Sequence, residues 1–324
     1  MAKIIGLGKY VPEKVLTNFD LEKIVDTSDE WITTRTGIKQ RHIAHKGVGA
    51  SHLAYEASKI ALKRAGVHAN DIDLIVVATI TPDTPFPSTA CYLQSLLKAN
   101  KAACLDVSAA CAGFVYALTV GWQFIKSGLY KNVLVVGSEV LSTITDWSDR
   151  STCVLFGDGA GAAVLTKSNK DNFLSSYLGG DGNEADLLIV PGGGSKHPAS
   201  EETVKNKLHF IKMRGNELFR IAVRVMVKAA KNAVAKAGLE MEDVDLLIPH
   251  QANERIINAV SERLCLSRDK VYVNISRYGN MSSASSAVAL CEAYEEGKIK
   301  KDSIVVLDAF GGGLVWGSIV IKWG

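Results

Sequence analysis

The feature that most constrains this chain is that it repeats itself. The segment ALKRAGVHANDIDLIV at 61–76 aligns without a gap on AVAKAGLEMEDVDLLI at 233–248, an offset of 172 residues. Ala65-Gly66 falls on Ala237-Gly238, and Asp71-Ile72-Asp73-Leu74 falls on Asp243-Val244-Asp245-Leu246. The same offset later sets Ala117-Leu118 on Ala289-Leu290 and puts Cys111 opposite Ser283. One helix–glycine–strand match arises by chance in α/β proteins. A constant offset over more than fifty residues is better read as duplication. Two related halves, expected at 1–168 and 169–324, then pack about a pseudo-twofold axis, with the active site where they meet.

The repeated unit alternates short apolar runs with helical periodicity. KIIGLG (3–8), LIVVATI (74–80), NVLVVGS (132–138), GAAVL (161–165), LLIP (246–249), VYVNI (271–275) and SIVVLDAF (303–310) read as buried strands. Ser51–Ala65, Ala112–Lys126, Gly215–Ala237 and Ala284–Glu296 read as helices. Continuously apolar strands between helices predict an α/β protein whose sheets are covered on both faces. With 324 residues and 47% apolar content there is ample material for such a core, and a net charge of +3 gives no reason to expect nucleic acid. No apolar run reaches the roughly 18 residues needed to span a bilayer. The start, MAKIIGLGKYVPEK, lacks a signal-peptide pattern. Six scattered cysteines, without a CxxC pair or metal-ligand spacing, suit a reducing, cytoplasmic setting and no metal site.

Four segments carry candidate chemistry. In LDVSAACAGFVYAL (105–118), Cys111 stands at a strand-to-helix elbow among small residues, where helix-terminal N–H groups favour a thiolate. An inert buried cysteine is the competing reading. His250, in IPHQANERI (248–256), closes an apolar strand and is either a proton carrier or a satisfied core histidine. Asn280, in NISRYGNMSSAS (274–285), lies at the duplicate elbow; alone it reads as an ordinary turn asparagine. The glycines of DAFGGGLVWG (308–317) permit close approach of backbone to a ligand, or simply a flexible turn. GDGAGAAV (157–164) and PGGGSKHP (191–198) satisfy neither a Walker nor a Rossmann pattern in context. Along the helix from Asn216, the residues Arg220, Arg224, Lys228 and Lys231 form one basic stripe opposite Phe219, Val223, Met226 and Ala230.

Together with TSDEWITTRTGIKQRHIA and DRSTCVLFGDGAGAAV, these segments resemble, over essentially the whole chain, the β-ketoacyl-acyl carrier protein synthase III family of initiating condensing enzymes. The resemblance implies the thiolase fold, two duplicated halves in layered α-β-α-β-α order. It implies a short acyl group carried from acyl-CoA on Cys111, then condensed with malonyl-acyl carrier protein with loss of CO2. Cys111, His250 and Asn280 match the catalytic positions, and the N–H groups of Cys111 and Gly312 match the oxyanion hole. Thr27, Trp31, Arg35, Arg150, Asn216, Phe219 and Asn253 match CoA-binding positions, with Trp31 and Arg150 flanking the adenine. Phe86 matches a residue that a partner subunit contributes to the acyl pocket, implying a homodimer. Arg220, Arg224, Lys228 and Arg255 match the carrier-protein docking face. No metal or resident cofactor is implied, since decarboxylation itself generates the carbanion and CoA is a substrate. Met281 and Ser283 depart from the more usual GNTSAAS, and Glu254 sets a negative charge beside Asn253 and Arg255. A relative acting in polyketide or signal-molecule synthesis, and a non-catalytic scaffold of the same fold, are the competing expectations.

Overall fold

A computed structural model describes residues 1–324. The first half forms one five-stranded sheet: β1 (Ala2–Tyr10), β2 (Leu74–Ala78), β3 (Ala103–Val107), β4 (Asn132–Val140) and β5 (Asp158–Lys167), in spatial order β1-β5-β4-β2-β3. The second half forms a four-stranded sheet of β6 (Phe173–Gly180), β7 (Leu246–Pro249), β8 (Ile304–Gly311) and β9 (Val315–Lys322), in order β7-β8-β9-β6. Parallel and antiparallel pairings correspond between the two: β2 with β4 and β7 with β8 are parallel, while β4 with β5 and β8 with β9 are antiparallel. VYVNI, expected as a strand, contributes only an isolated bridge between Val271 and Leu247. It then enters the short helix Ile275–Tyr278, which diverts the chain toward Asn280.

Strand alternation explains why the inner strands of both sheets read as nearly continuous apolar runs, while the edge strand β6, FLSSYLGG, is partly exposed and was not among the expected strands. Leu74, Val76, Val133 and Val135 face a central core, whereas Ile75, Val77, Leu134 and Val136 face an outer one. In the second sheet Leu246, Ile248, Val305 and Leu307 face the same central core, and Leu247, Val306 and Phe310 face outward. Helices Gly113–Lys126 and Ser283–Glu295 fill that central layer. Helices Ala50–Ala65 and Thr89–Leu97 cover the first sheet, and Gly215–Lys236 packs on the second. The order is α-β-α-β-α, as the family resemblance implied.

The repeat is structural in detail. The 3-10 turns Ala69–Asp71 and Met241–Asp243 differ by the same 172 residues, and Gly66 and Gly238, at φ +64° and +72°, end the preceding helices. The Asp73 carboxylate accepts from the N–H of Asn132 at 2.8 Å, and that of Asp245 from Ile304 at 2.7 Å, again at matched positions. Both helix-preceding elbows hold a non-glycine residue at positive φ, Ala110 at +42° and Ser282 at +46°. Such backbone is costly for an L-residue and persists only where its surroundings impose it. Two copies of one strained turn therefore face each other across the central layer.

Candidate active site

Cys111 sits in the 3-10 turn Ala110–Ala112, directly before helix Gly113–Lys126, and is 7% exposed. Gly311, the last residue of β8, lies hard against this elbow: a Cβ there would stand 2.5 Å from the Cys111 backbone nitrogen. The next residue, Gly312, leaves the strand ladder, and its N–H donates to no backbone or side-chain acceptor. Burial pushes the Cys111 thiol up to about 12. The elbow was expected to favour a thiolate; in the folded protein desolvation outweighs the helix-terminal N–H groups, so the resting thiol is protonated.

His250 follows β7 and is fixed by its N–H, which donates to Asp308 O at 2.8 Å. Both ring nitrogens are buried and without a partner, and burial lowers the imidazole to about 3. It is a neutral histidine with spare hydrogen-bonding capacity. Gln251 links it to the third residue: its amide donates to Pro249 O and Tyr272 O, and its carbonyl accepts from the N–H of Asn274 and of Ile275. Asn280 then bridges to the first half, donating N–H to Leu155 O at 2.8 Å and accepting from Gly157 N–H at 3.0 Å. Its side-chain oxygen accepts from Ser282 N–H at 2.8 Å, which leaves Nδ2 free of protein acceptors.

Two cavities meet at Cys111. One, of about 400 Å3, is walled mainly by apolar side chains including Ile80, Leu141, Leu188, Val190 and Ile211, and also touches Gly312. The other, of about 140 Å3, is lined by His250, Asn280, Phe219, Leu218, Asn253 and Gly311. The structure thus brings Cys111, His250 and Asn280 onto one tunnel. A larger apolar pocket and a smaller one share the thiol as a common lining residue.

The remaining candidates are distributed along and outside that passage. Arg150 stacks directly on Trp31, 5.0 Å from the ring centre, and Arg35 lies 6.0 Å away, so Trp31 and Arg150 enclose no adenine-sized gap in this state. Arg150 also donates to Asp26 O at 2.8 Å. Thr27 has a buried hydroxyl without a partner. Both ends of the Asn253 amide are used inside the protein, donating to Arg35 O and accepting from Arg255 N–H. Asn216 is exposed at the start of its helix and lines neither cavity. Phe86 is 84% exposed and belongs to neither cavity of its own chain. Arg220, Arg224, Lys228 and Lys231 all face solvent, and Arg255 stacks on Phe219 at 5.5 Å. Glu254 is pressed against Gly37 and lies 3.7 Å from Arg268, which pairs with its charge. No group of three or more His, Cys, Asp or Glu side chains is arranged to hold a metal ion. No helix is long and apolar enough to cross a membrane.

Neither Glu139 nor Ser282 stood out in the sequence, whereas Gly311 belongs to the glycine run expected to approach a ligand closely. The clue to Glu139 was a lone acid closing the otherwise apolar run NVLVVGSEV; Ser282 was recognisable only from backbone geometry.

Comparison with known proteins identifies the family. Residues 105–182 match the model of 3-oxoacyl-[acyl-carrier-protein] synthase III, and residues 234–323 match the model of its C-terminal part. The chain is 56% identical over 323 residues to the β-ketoacyl-[acyl-carrier-protein] synthase III of Caldanaerobacter subterraneus subsp. tengcongensis, covering 99% of this chain and 98% of that one. The crystal structure of the Aquifex aeolicus 3-oxoacyl-[acyl-carrier-protein] synthase III is 50% identical with a TM-score of 0.92, covering both chains fully. The priming β-ketosynthase of the R1128 polyketide pathway is 34% identical with a TM-score of 0.93, over 100% of this chain and 96% of that one. The chain belongs to the β-ketoacyl-[acyl-carrier-protein] synthase III family of acyltransferase-type condensing enzymes.

Proposed function

We propose that Cys111, His250 and Asn280 carry out the family's condensation on this chain, with a short acyl-CoA, acetyl-CoA foremost, and malonyl-acyl carrier protein as substrates. The observation that carries the reading is the position of Cys111 at the meeting of two mainly apolar cavities, the narrower of which presents His250, Asn253 and Asn280 as its polar side chains. In the first half-reaction the sulfur attacks the thioester carbonyl, the thiol proton leaves, and CoA departs as its thiol. The acyl chain lies in the larger cavity and the pantetheine arm in the narrower one, past Phe219 and Asn253. The carbonyl oxygen, as it gains charge, faces the N–H groups of Cys111 and Gly312.

In the second half-reaction malonyl-acyl carrier protein enters the same passage. Neutral His250, lacking any protein partner, and the free Nδ2 of Asn280 donate to its thioester oxygen as CO2 leaves. An imidazolium is not needed, and its depressed pKa keeps it neutral. The carbanion then attacks the acyl-Cys111 carbonyl, breaking the carbon–sulfur bond and returning the thiolate, which takes up a proton. No metal or resident cofactor enters these steps.

CoA contacts are assigned to Thr27, Trp31, Arg35, Arg150, Asn216, Phe219 and Asn253, with Arg150 swinging off Trp31 to admit the adenine. Arg220, Arg224, Lys228 and Arg255 form the docking face for an acidic carrier protein. A homodimer is supported by the edge strand β3, where Leu105 is 36% exposed, and by Phe86, which is 84% exposed and lines neither cavity of its own chain. The halves are placed at 1–168 and 169–324, and the protein in the cytoplasm. The test is intact mass after incubation with acetyl-CoA. A single acetyl adduct on wild type, absent from Cys111→Ala, is expected; an equal adduct on the variant refutes the assignment.

A further inference from the structure

The pseudo-twofold repeat places Glu139, at the end of β4, in the position that Gly311 holds at the end of β8. Gly311 leaves its elbow open and lies against the Cys111 nitrogen. Glu139 instead closes the second elbow. One of its oxygens, Oε2, accepts from Ile80 N–H at 3.1 Å, Thr79 Oγ1 at 3.2 Å and Thr81 Oγ1 at 2.8 Å. The other, Oε1, accepts from Ser283 N–H at 3.4 Å and lies 2.8 Å from Ser283 Oγ, which is also 2.8 Å from Ala78 O.

A proton count decides the state of this network. The Ser283 hydroxyl has one hydrogen and stands between two oxygens, Ala78 O and Glu139 Oε1. Ala78 O cannot donate, so the serine proton goes to it. The second contact is then satisfied if Glu139 Oε1 carries a proton and donates it to Ser283 Oγ. Every contact in the cluster is filled by a neutral carboxylic acid. A carboxylate leaves one oxygen–oxygen contact without a hydrogen, in a side chain that is fully buried. Burial pushes the Glu139 carboxyl up, in the same direction.

We propose that Glu139 is a positioning residue, held as a neutral acid, that ties the Asn280–Ser283 elbow of the second half to Ile80 and the end of β2 in the first. It acts through Ser283, one of the positions where this chain departs from the usual motif. The consequence is local to both cavities. Ile80 walls the larger one, and Ser282, between Asn280 and Ser283, lines it beside Cys111. The titratable group that Glu139 faces is Cys111. Its other polar neighbours are the hydroxyls and N–H groups named above, and Asp158, on the adjacent strand, is engaged by Ala44 and Ser142. The inference rests on the assignment of Cys111 and Asn280 made above.

The test compares Glu139→Ala and Glu139→Gln in acetylation by acetyl-CoA, in full condensation, and in the pH–rate profile of Cys111 alkylation by iodoacetamide. Glutamine can donate to Ser283 Oγ and accept from Ile80 N–H, so it is expected to keep condensation within about threefold of wild type with an unshifted alkylation profile. Alanine is expected to lower condensation about 100-fold, through misplacement of Asn280 rather than loss of a reacting group. A folded Glu139→Ala enzyme with wild-type condensation overturns the proposal. So does a folded Glu139→Gln enzyme that falls as far as alanine, or whose alkylation profile moves to lower pH, since either means that a charge was removed. Should Glu139→Ala fail to fold, the glutamine variant and its profile decide. Failure of the underlying assignment is seen separately, as wild-type protein that takes no acetyl group on Cys111.

Discussion

Gly311→Ala puts the packing of the Cys111 elbow under direct test. The added Cβ would stand 2.5 Å from the Cys111 nitrogen, 3.0 Å from Ala110 Cβ and 3.2 Å from Cys111 Cα. Ordinary contact begins near 3.5 Å, so elbow and strand must part by about 1 Å. Neither neighbour is a flexible side-chain tip. Ala110 is already at φ +42°, and β8 is held on both sides by β7 and β9. Overpacking of this kind costs about 1–3 kcal/mol. The effect on chemistry is larger, because the displaced group is the backbone N–H of Cys111 itself. Moving an oxyanion donor out of line costs about 100- to 1000-fold in rate. The assay is single-turnover acetylation read by intact mass, beside urea unfolding of the same preparation. Gly66→Ala is the control: at φ +64° with open space around it, it costs about 1–2 kcal/mol in backbone strain far from the thiol, and should leave acetylation unchanged. Acetylation of Gly311→Ala within about threefold of wild type, at the expected loss of stability, would falsify the role given to this elbow.

Three further outcomes follow from the charges. Burial holds folded His250 near 3, below its unfolded value of 6.5, so its contribution to stability is present above pH 6.5 and lost as pH falls toward 3. His250→Asn should therefore lose less stability than wild type between pH 7 and about 5 in urea titrations; equal losses count against a buried neutral imidazole. Asp308 is fully buried with both oxygens unpartnered, and burial raises its pKa well above 3.8, so its stabilising share is present at low pH and falls as pH rises. Asp308→Asn should gain more stability at pH 7 than at about pH 4, and a gain independent of pH refutes that reading. Reversing Arg220 and Arg224 to Glu should raise KM for malonyl-acyl carrier protein about tenfold or more, with the gap narrowing as salt increases; a salt-independent effect argues against an electrostatic docking face.

What was legible in the sequence was whatever is periodic or local. Apolar runs such as 133–136 marked strands because both faces of each sheet are covered by helices, so side chains of both alternations are apolar. The segment 271–275 has the same composition yet forms no strand; only the turn into Ile275–Tyr278, set by Gln251 accepting from Asn274 and Ile275, reveals why. Cys111, His250 and Asn280 were recognisable by motif, and the offset of 172 residues announced two matching elbows.

The ionisation of those residues was not recognisable. A helix terminus next to Cys111 argued for a thiolate, and the desolvation that reverses it exists only once both halves close over the sulfur. Nor did the sequence distinguish the open elbow from the closed one. Glu139 and Gly311 lie at equivalent ends of duplicated strands, and which of them faces a substrate depends on partners far apart in the chain. Periodicity and motif are properties of neighbours along the backbone, and the sequence by itself determined the duplication, the α/β class and the candidate site residues. Burial, proton position and the assignment of one elbow to chemistry and the other to support are set by contacts across the pseudo-twofold, and the tertiary structure decided them.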